Sequence, residues 1–174
     1  MAANPGIEGK AHKALQTPSE IAPDAVHALA TSLNAVLADA FALYLKSKSF
    51  HWHVSGPHFR DYHLLFEEHA KQILAGTDDV AERVRMLGGT TIRSIGHIAK
   101  LQRLKDNDAG FVGAAEMLRE LMEDNKALLA SLRKAHELTD QHRDFASTAI
   151  LDDWIGQAEE RIWFLFEASR TAPH

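Results

Sequence analysis

The sequence predicts an all-α protein, a four-helix bundle with a short extra helix in the crossover between its second and third long helices, and three observations carry that expectation. Apolar residues recur at three- and four-residue intervals in four long stretches. No stretch shows the two-residue alternation of a strand, and Ser55-Gly56-Pro57 joins the first two stretches as a tight hairpin turn. With 174 residues, 45% of them hydrophobic, one domain with a real core is expected.

Residues 1–20 mix Gly, Pro, Glu8, Lys10, His12, Lys13 and Glu20 without periodicity and read as a mobile extension, leaving 21–174 for the bundle. Thr17-Pro18-Ser19-Glu20 has the form of a capping box, but Pro23 moves the expected start of the first helix to about Ala22. From there Val26, Leu29, Leu33, Val36, Leu37, Ala40, Phe41 and Tyr44 mark one face as far as about His53. The second helix is expected over about 59–88 on Leu65, Ile73, Val80, Val84 and Leu87, stopping at Gly88-Gly89. Gly76 inside it costs about 1 kcal/mol relative to Ala, which points to a packing reason or a local bend rather than a break. A short helix is expected between about Ser94 and Leu104. A third long helix follows over about 111–138, on Met117, Leu118, Leu121, Met122, Leu128, Leu129 and Leu132. A fourth covers about 147–169, through Leu151, Trp154, Ile155, Ile162 and Phe166.

Ligand-type residues in the second helix are spaced as if two copies were meant to meet. His63, Glu67, Asp78 and Glu82 fall at about 0°, 40°, 60° and 100° around its axis, all on one face. Along that axis His63 and Asp78 are about 22 Å apart, too far to share one metal ion within a chain. Positions 63 and 82, like 67 and 78, are symmetric about a point between Gln72 and Ile73. Two such helices crossing antiparallel on a two-fold axis therefore bring His63 and Glu67 of one chain against Asp78 and Glu82 of the other. His51 and His63 lie equally far from Pro57, so the hairpin sets their imidazoles side by side. The resulting cluster of two imidazoles and hard carboxylate oxygens suits Fe(II) and leaves positions open for an oxidant.

Each residue also has an ordinary structural reading. A helical carboxylate is usually a solvated charge, paired histidines often only pack, Trp52 would by default fill the core, and Arg83 beside Glu82 either orients that carboxylate or, by default, forms a surface ion pair of small worth. His53, His58 and His69 fall away from the ligand face. With no cysteine and eleven histidines, any metal must be held by His, Asp and Glu. The N-terminus has no signal-like run, and no window approaches the uninterrupted apolar length that spans a bilayer. A cytoplasmic protein with no membrane contact is expected. A net charge of −5 argues against a phosphate-binding body.

These residues resemble the Dps proteins, or mini-ferritins, over roughly residues 24–170. The similarity is densest in Ser32-Leu33-Asn34, Leu43-Tyr44-Leu45-Lys46, Phe50-His51-Trp52, Gly56-Pro57-His58-Phe59, His63, Phe66-Glu67 and Asp78-Asp79-Val80-Ala81-Glu82-Arg83. The resemblance implies a ferritin-like bundle assembling from dimers into a hollow dodecamer. It also implies ferroxidase activity: iron, as Fe(II), is oxidised at dimer interfaces, preferentially by hydrogen peroxide rather than oxygen, and is stored as ferric mineral against oxidative damage. It places iron ligands at His51, His63, Glu67, Asp78 and Glu82, the five that spacing had reached, and at Trp52 a tryptophan that would intercept one-electron oxidants.

Two departures stand out. The family's acidic pore motif, roughly Thr-Ala-Asp at the start of the last helix, reads Ser147-Thr148-Ala149 here, leaving Asp144, Asp152 or Glu123 as alternative cation-attracting groups. The extension also lacks the lysine richness of DNA-binding members. Twelve chains at −5 each would carry about −60, with only Lys10 and Lys13 per tail to oppose it, so DNA binding is expected to be weak or absent and DNA compaction ranks below iron oxidation. An intrachain di-iron site would need inward Glu-x-x-His motifs, and no Glu here is followed by His three residues later.

Overall fold

In the computed structural model, which describes residues 13–170, six α-helices follow one another: α1 (Pro23–His53), α2 (Phe59–Ala75), α3 (Thr77–Met86), α4 (Ile95–Leu101), α5 (Ala114–Gln141) and α6 (Phe145–Ser169). Among the described residues there is no strand. α1, the α2–α3 pair, α5 and α6 make the four-helix bundle, with α4 in the crossover. α1 packs on α2, α3, α4 and α5, and α5 packs on α6. Residues 1–12 of the expected mobile extension lie outside the described residues. Its later part begins with a 3₁₀ turn, Lys13–Leu15, whose Leu15 carbonyl accepts a hydrogen bond from Arg85 Nη2 at 2.6 Å.

α1 starts with Pro23 in its first turn and Asp24 near its positive end, and it stops where Val54 becomes extended. Gly56, at φ 109°, then turns the chain in a conformation that side chains rarely adopt. The core is leucine-rich: Leu29, Leu33, Leu37, Leu43, Leu118, Leu121, Leu132, Leu151 and Leu165 are all at most 1% exposed. Contrary to the sequence reading, α1 holds a window long and apolar enough to cross a bilayer. Half of that window is buried within the bundle, the pattern of a core helix packed on several sides.

The expected 59–88 helix is interrupted at one residue. Gly76 ends α2 and precedes α3, and the ladder across it is thin, with Val80 N reaching Gly76 O at 3.4 Å. The cause is steric: a Cβ at Gly76 would lie 2.5 Å from Trp154 Nε1 and 2.8 Å from Cε2, so the indole from α6 occupies the notch that the missing side chain leaves.

Buried polar contacts stitch the irregular crossover to α1. Lys46 Nζ donates to Lys105 O at 2.6 Å and meets Asp124 at 2.6 Å and Glu120 at 2.8 Å. Burial works against its charge, yet the two carboxylates hold its pKa above the usual lysine value. Asp39, at 1% exposure, accepts from the backbone N–H of Arg103 at Oδ1 and from its Nε and Nη2 at Oδ2, at 2.6 to 2.9 Å. Between α2, α5 and α6, buried Arg161 donates to Asn125 Oδ1 and Gln72 Oε1, each at 2.7 Å, and burial pushes its pKa down to about 10. Nearby His69 is 5% exposed, with both ring nitrogens buried and unpartnered among the described residues. Burial, aided by Arg161, lowers its pKa to about 4.

Two predictions follow from this packing. Gly76→Ala forces the indole aside and is expected to cost about 1–3 kcal/mol from overpacking, against about 1 kcal/mol of helix-propensity gain. Thermal unfolding should show a lowered Tm that Trp154→Phe partly restores, and an unchanged Tm would mean the notch is not tight. For His69, the folded pKa of about 4 lies below the ordinary 6.5, so the unfolded chain takes up a proton that the folded chain refuses. This stability is fully present above pH 6.5 and is lost as pH falls through about 4. The loss is on the order of 3 kcal/mol. At fixed protein concentration, His69→Leu should flatten the decline of the denaturant midpoint between pH 7 and 4; a decline as steep as the parent's would assign it to other groups.

Candidate metal centre

The α1–α2 hairpin closes on its two histidines. His51 Nδ1 lies 2.7 Å from His63 O, and His63 Nδ1 lies 2.8 Å from His51 O, while the rings stack with centroids 3.8 Å apart. A carbonyl oxygen can only accept, so each Nδ1 carries the hydrogen, and Nε2 is the nitrogen whose lone pair is available when the ring carries no second proton. A hydrogen bond of this kind from one ring nitrogen fixes the tautomer and orientation that an imidazole needs in order to bind a metal through the other. Phe59 leans on His63, ring centroids 5.1 Å apart, and narrows the ring's freedom from the other side.

Glu67, one helical turn beyond His63, completes the cluster. His51 Nε2 is 3.5 Å from Glu67 Oε2, the same oxygen that accepts from Lys48 Nζ, and Lys71 Nζ is 3.1 Å from Oε1. The hydrogen bonds from Lys48 and Lys71 hold the Glu67 pKa down at about 2, burial opposing them only in part. The carboxylate is thus ionised throughout the physiological range. Lys48 Nζ also stands 5.8 Å from the Trp52 ring centroid. Trp52 is 59% exposed, so it is rim rather than the core filler that a lone tryptophan suggests.

Asp78 and Glu82 stand on the exposed side of α3. Among the described residues, no group of three His, Asp or Glu side chains comes together in a way that could hold a metal ion. One chain therefore offers two part-sites: the paired imidazoles with Glu67, and the α3 carboxylates. α2 also exposes Leu64 and Leu74 at 41% and 39%, and α1 exposes Leu45 at 58%.

Sequence reasoning missed Lys48 and Lys71. The i,i+4 spacing of Glu67 and Lys71 was a usable signal, whereas Lys48 reaches Glu67 only across the hairpin. The reading of Arg83 needs correction. It is no surface pair: Nη2 donates to Asp144 Oδ1 at 2.5 Å and Nε to Ser147 Oγ at 2.9 Å, and Asp144 is only 3% exposed. Asp144 also caps α6 by accepting from Ser147 N at 3.2 Å, so it is not free to attract cations. The other two candidates are exposed and paired, Asp152 with His136 Nε2 at 2.9 Å and Glu123 with Lys126 at 2.9 Å.

Comparison with known proteins bears on the family and the fold. The Ferritin-like domain family matches residues 30–170. An uncharacterised low-temperature-induced protein of Nostoc sp. is 36% identical over 134 residues, covering 76% of this chain and 75% of that one. A DNA protection during starvation protein of Brevibacillus brevis is 32% identical over 137 residues, covering 79% and 91%. DpsC from Streptomyces coelicolor superposes with a TM-score of 0.87 at 29% identity, covering 91% of this chain and 93% of that structure.

Proposed function

The chain belongs to the ferritin-like family, within its Dps branch, and from that membership we propose that it is a ferroxidase and iron store whose sites form between two copies of the chain. At family level the membership carries iron storage and protection of DNA. The observation that carries the finer reading is the reciprocal clasp of His51 and His63, because it spends both Nδ1 hydrogens on backbone carbonyls and leaves two Nε2 lone pairs beside an ionised Glu67.

In this reading Fe(II) is the substrate. The imidazoles of His51 and His63 and the Glu67 carboxylate receive it on one side, and Asp78 and Glu82 of the partner close the site on the other. The ammonium groups of Lys48 and Lys71 hold Glu67 charged and in place until iron displaces them. Two Fe(II) ions then give one electron each to one hydrogen peroxide molecule, whose O–O bond breaks and whose oxygens leave as hydroxide or water. This two-electron reduction releases no hydroxyl radical, and the preference for peroxide over oxygen is carried over from the resemblance to the Dps proteins. Trp52 at the rim is assigned the interception of stray one-electron oxidants. The assembly is a homo-oligomer, proposed as a dodecamer built from dimers, with exposed apolar residues such as Leu64 and Leu74 lying in the contact. DNA is protected by removing iron and peroxide rather than by coating, since the net charge of −5 opposes phosphate contact.

Anaerobic Fe(II) titration followed by peroxide or oxygen, read by ferric absorbance, tests this directly. Asp78→Ala with Glu82→Ala should remove the fast ferric phase while light scattering still reports the parent assembly. Mixed assemblies then locate the site. A His51→Ala/His63→Ala chain paired with an Asp78→Ala/Glu82→Ala chain rebuilds one intact composite site in each mixed dimer, so part of the activity should return. Two inactive parents that give only inactive mixtures would place the centre within one chain instead.

A further inference from the structure

Asp78 and Glu82 ride on a helix of 10 residues that is joined to α2 through Gly76 alone. Apolar packing holds α3 to the bundle through Val80 and Val84, both fully buried, but such packing is non-directional and leaves rotation about the helix axis weakly specified. Arg85, near the end of α3, reaches the Leu15 carbonyl, but the directional contact that ties α3 to α6 comes from the residue next to Glu82. Arg83 sends Nη2 to Asp144 and Nε to Ser147, both at the start of α6, and the Ser147 hydroxyl donates in turn to Asp144 Oδ2. At the Asp144 end this network is buried, where a charged fork has few alternative geometries.

We infer that Asp144 and Ser147, acting through Arg83, are positioning residues for the iron site: they set the rotation of α3 and so the direction in which Asp78 and Glu82 point toward the partner's imidazoles. The inference rests on the reading of Asp78 and Glu82 as ligands. It also accounts for a buried aspartate at the place where the resemblance led one to look for a pore acid.

The test uses the full-length assembled protein and Co(II) alone as probe, because its visible bands report both affinity and coordination. Asp144→Asn should weaken Co(II) binding by about 10- to 100-fold and shift the bands, with assembly and helix content retained. Arg83→Lys, which keeps the charge but loses the fork, should fall between it and the parent. Asn34→Ala is the stability control, since Asn34 ties α1 to the crossover through Thr90 O and Thr91 and lies outside this network. It should lower Tm and leave Co(II) affinity unchanged. An Asp144→Asn protein that loses Tm but binds Co(II) like the parent overturns the inference. Asp78→Ala/Glu82→Ala in the same assay separates the two readings. If that pair leaves affinity unchanged, the ligand assignment fails; if it abolishes binding while Asp144→Asn does not, only the positioning role fails. Should Asp144→Asn not assemble, Ser147→Ala carries the test, with a several-fold loss expected and parental affinity counting against the inference.

Discussion

The clasp between His51 and His63 is the constraint from which the centre follows. Each imidazole is tied to the backbone of the other, so neither ring can turn without breaking a hydrogen bond at 2.7 or 2.8 Å and separating the stack. The clasp in turn needs the two helices to run antiparallel at close quarters, which the turn at Gly56 with its left-handed φ permits. Rigid second-shell bonding of this kind is costly to rebuild on the surface of a flexible loop. Here it is placed between the last turn of one helix and the first turns of the next, both anchored by fully buried leucines and Phe66.

Around the clasp, charge is balanced within the chain. A carboxylate among metal-binding groups is a liability when no cation is present, and the nearby ammonium groups of Lys48 and Lys71 neutralise it. On the proposed reading, a divalent ion arriving at Glu67 would exchange with these lysines instead of meeting a bare anion. The gain on binding is thereby reduced, while the ligand stays ionised and oriented. The same device appears in the core, where Lys46 answers Asp124 and Glu120, and Arg103 answers Asp39. Those two contacts explain how the long crossover after α3 holds its course with only the 7 residues of α4 in regular structure.

Much of the fold was legible because the bundle writes itself in a 3.6-residue period, and the long stretches around Leu29, Leu118 and Leu151 are continuous enough to show it. The stacked imidazoles were legible too, as distance from Pro57 along two antiparallel helices is simple counting. What stayed hidden depends on contacts between distant elements. Gly76 itself signalled a packing reason or a bend, but the residue that packs there, Trp154, is 78 positions later, and the partner of Arg83 lies 61 residues away; neither partner leaves a local trace. Helix ends moved by a few residues for the same reason: Asp144 caps α6 and draws its start back to Phe145, where apolar periodicity alone had suggested 147.

The division of the donors between two helices has a consequence for how such a protein would be regulated by its own assembly. Asp78 and Glu82 are exposed on α3, and on a lone chain they are ordinary solvated carboxylates with no nearby imidazole. On the proposed reading a single chain would offer only the three donors at the clasp, with Glu67 already engaged by lysine, and would compete poorly for Fe(II). Closing a two-fold contact would add the partner's carboxylates at both sites at once and bury exposed Leu64 and Leu74 in the same step. Iron binding and association are then linked, because a ligand that favours the associated state must also strengthen association by the same free energy. Oxidation chemistry would thus be confined to the assembled shell, where the ferric product has somewhere to go.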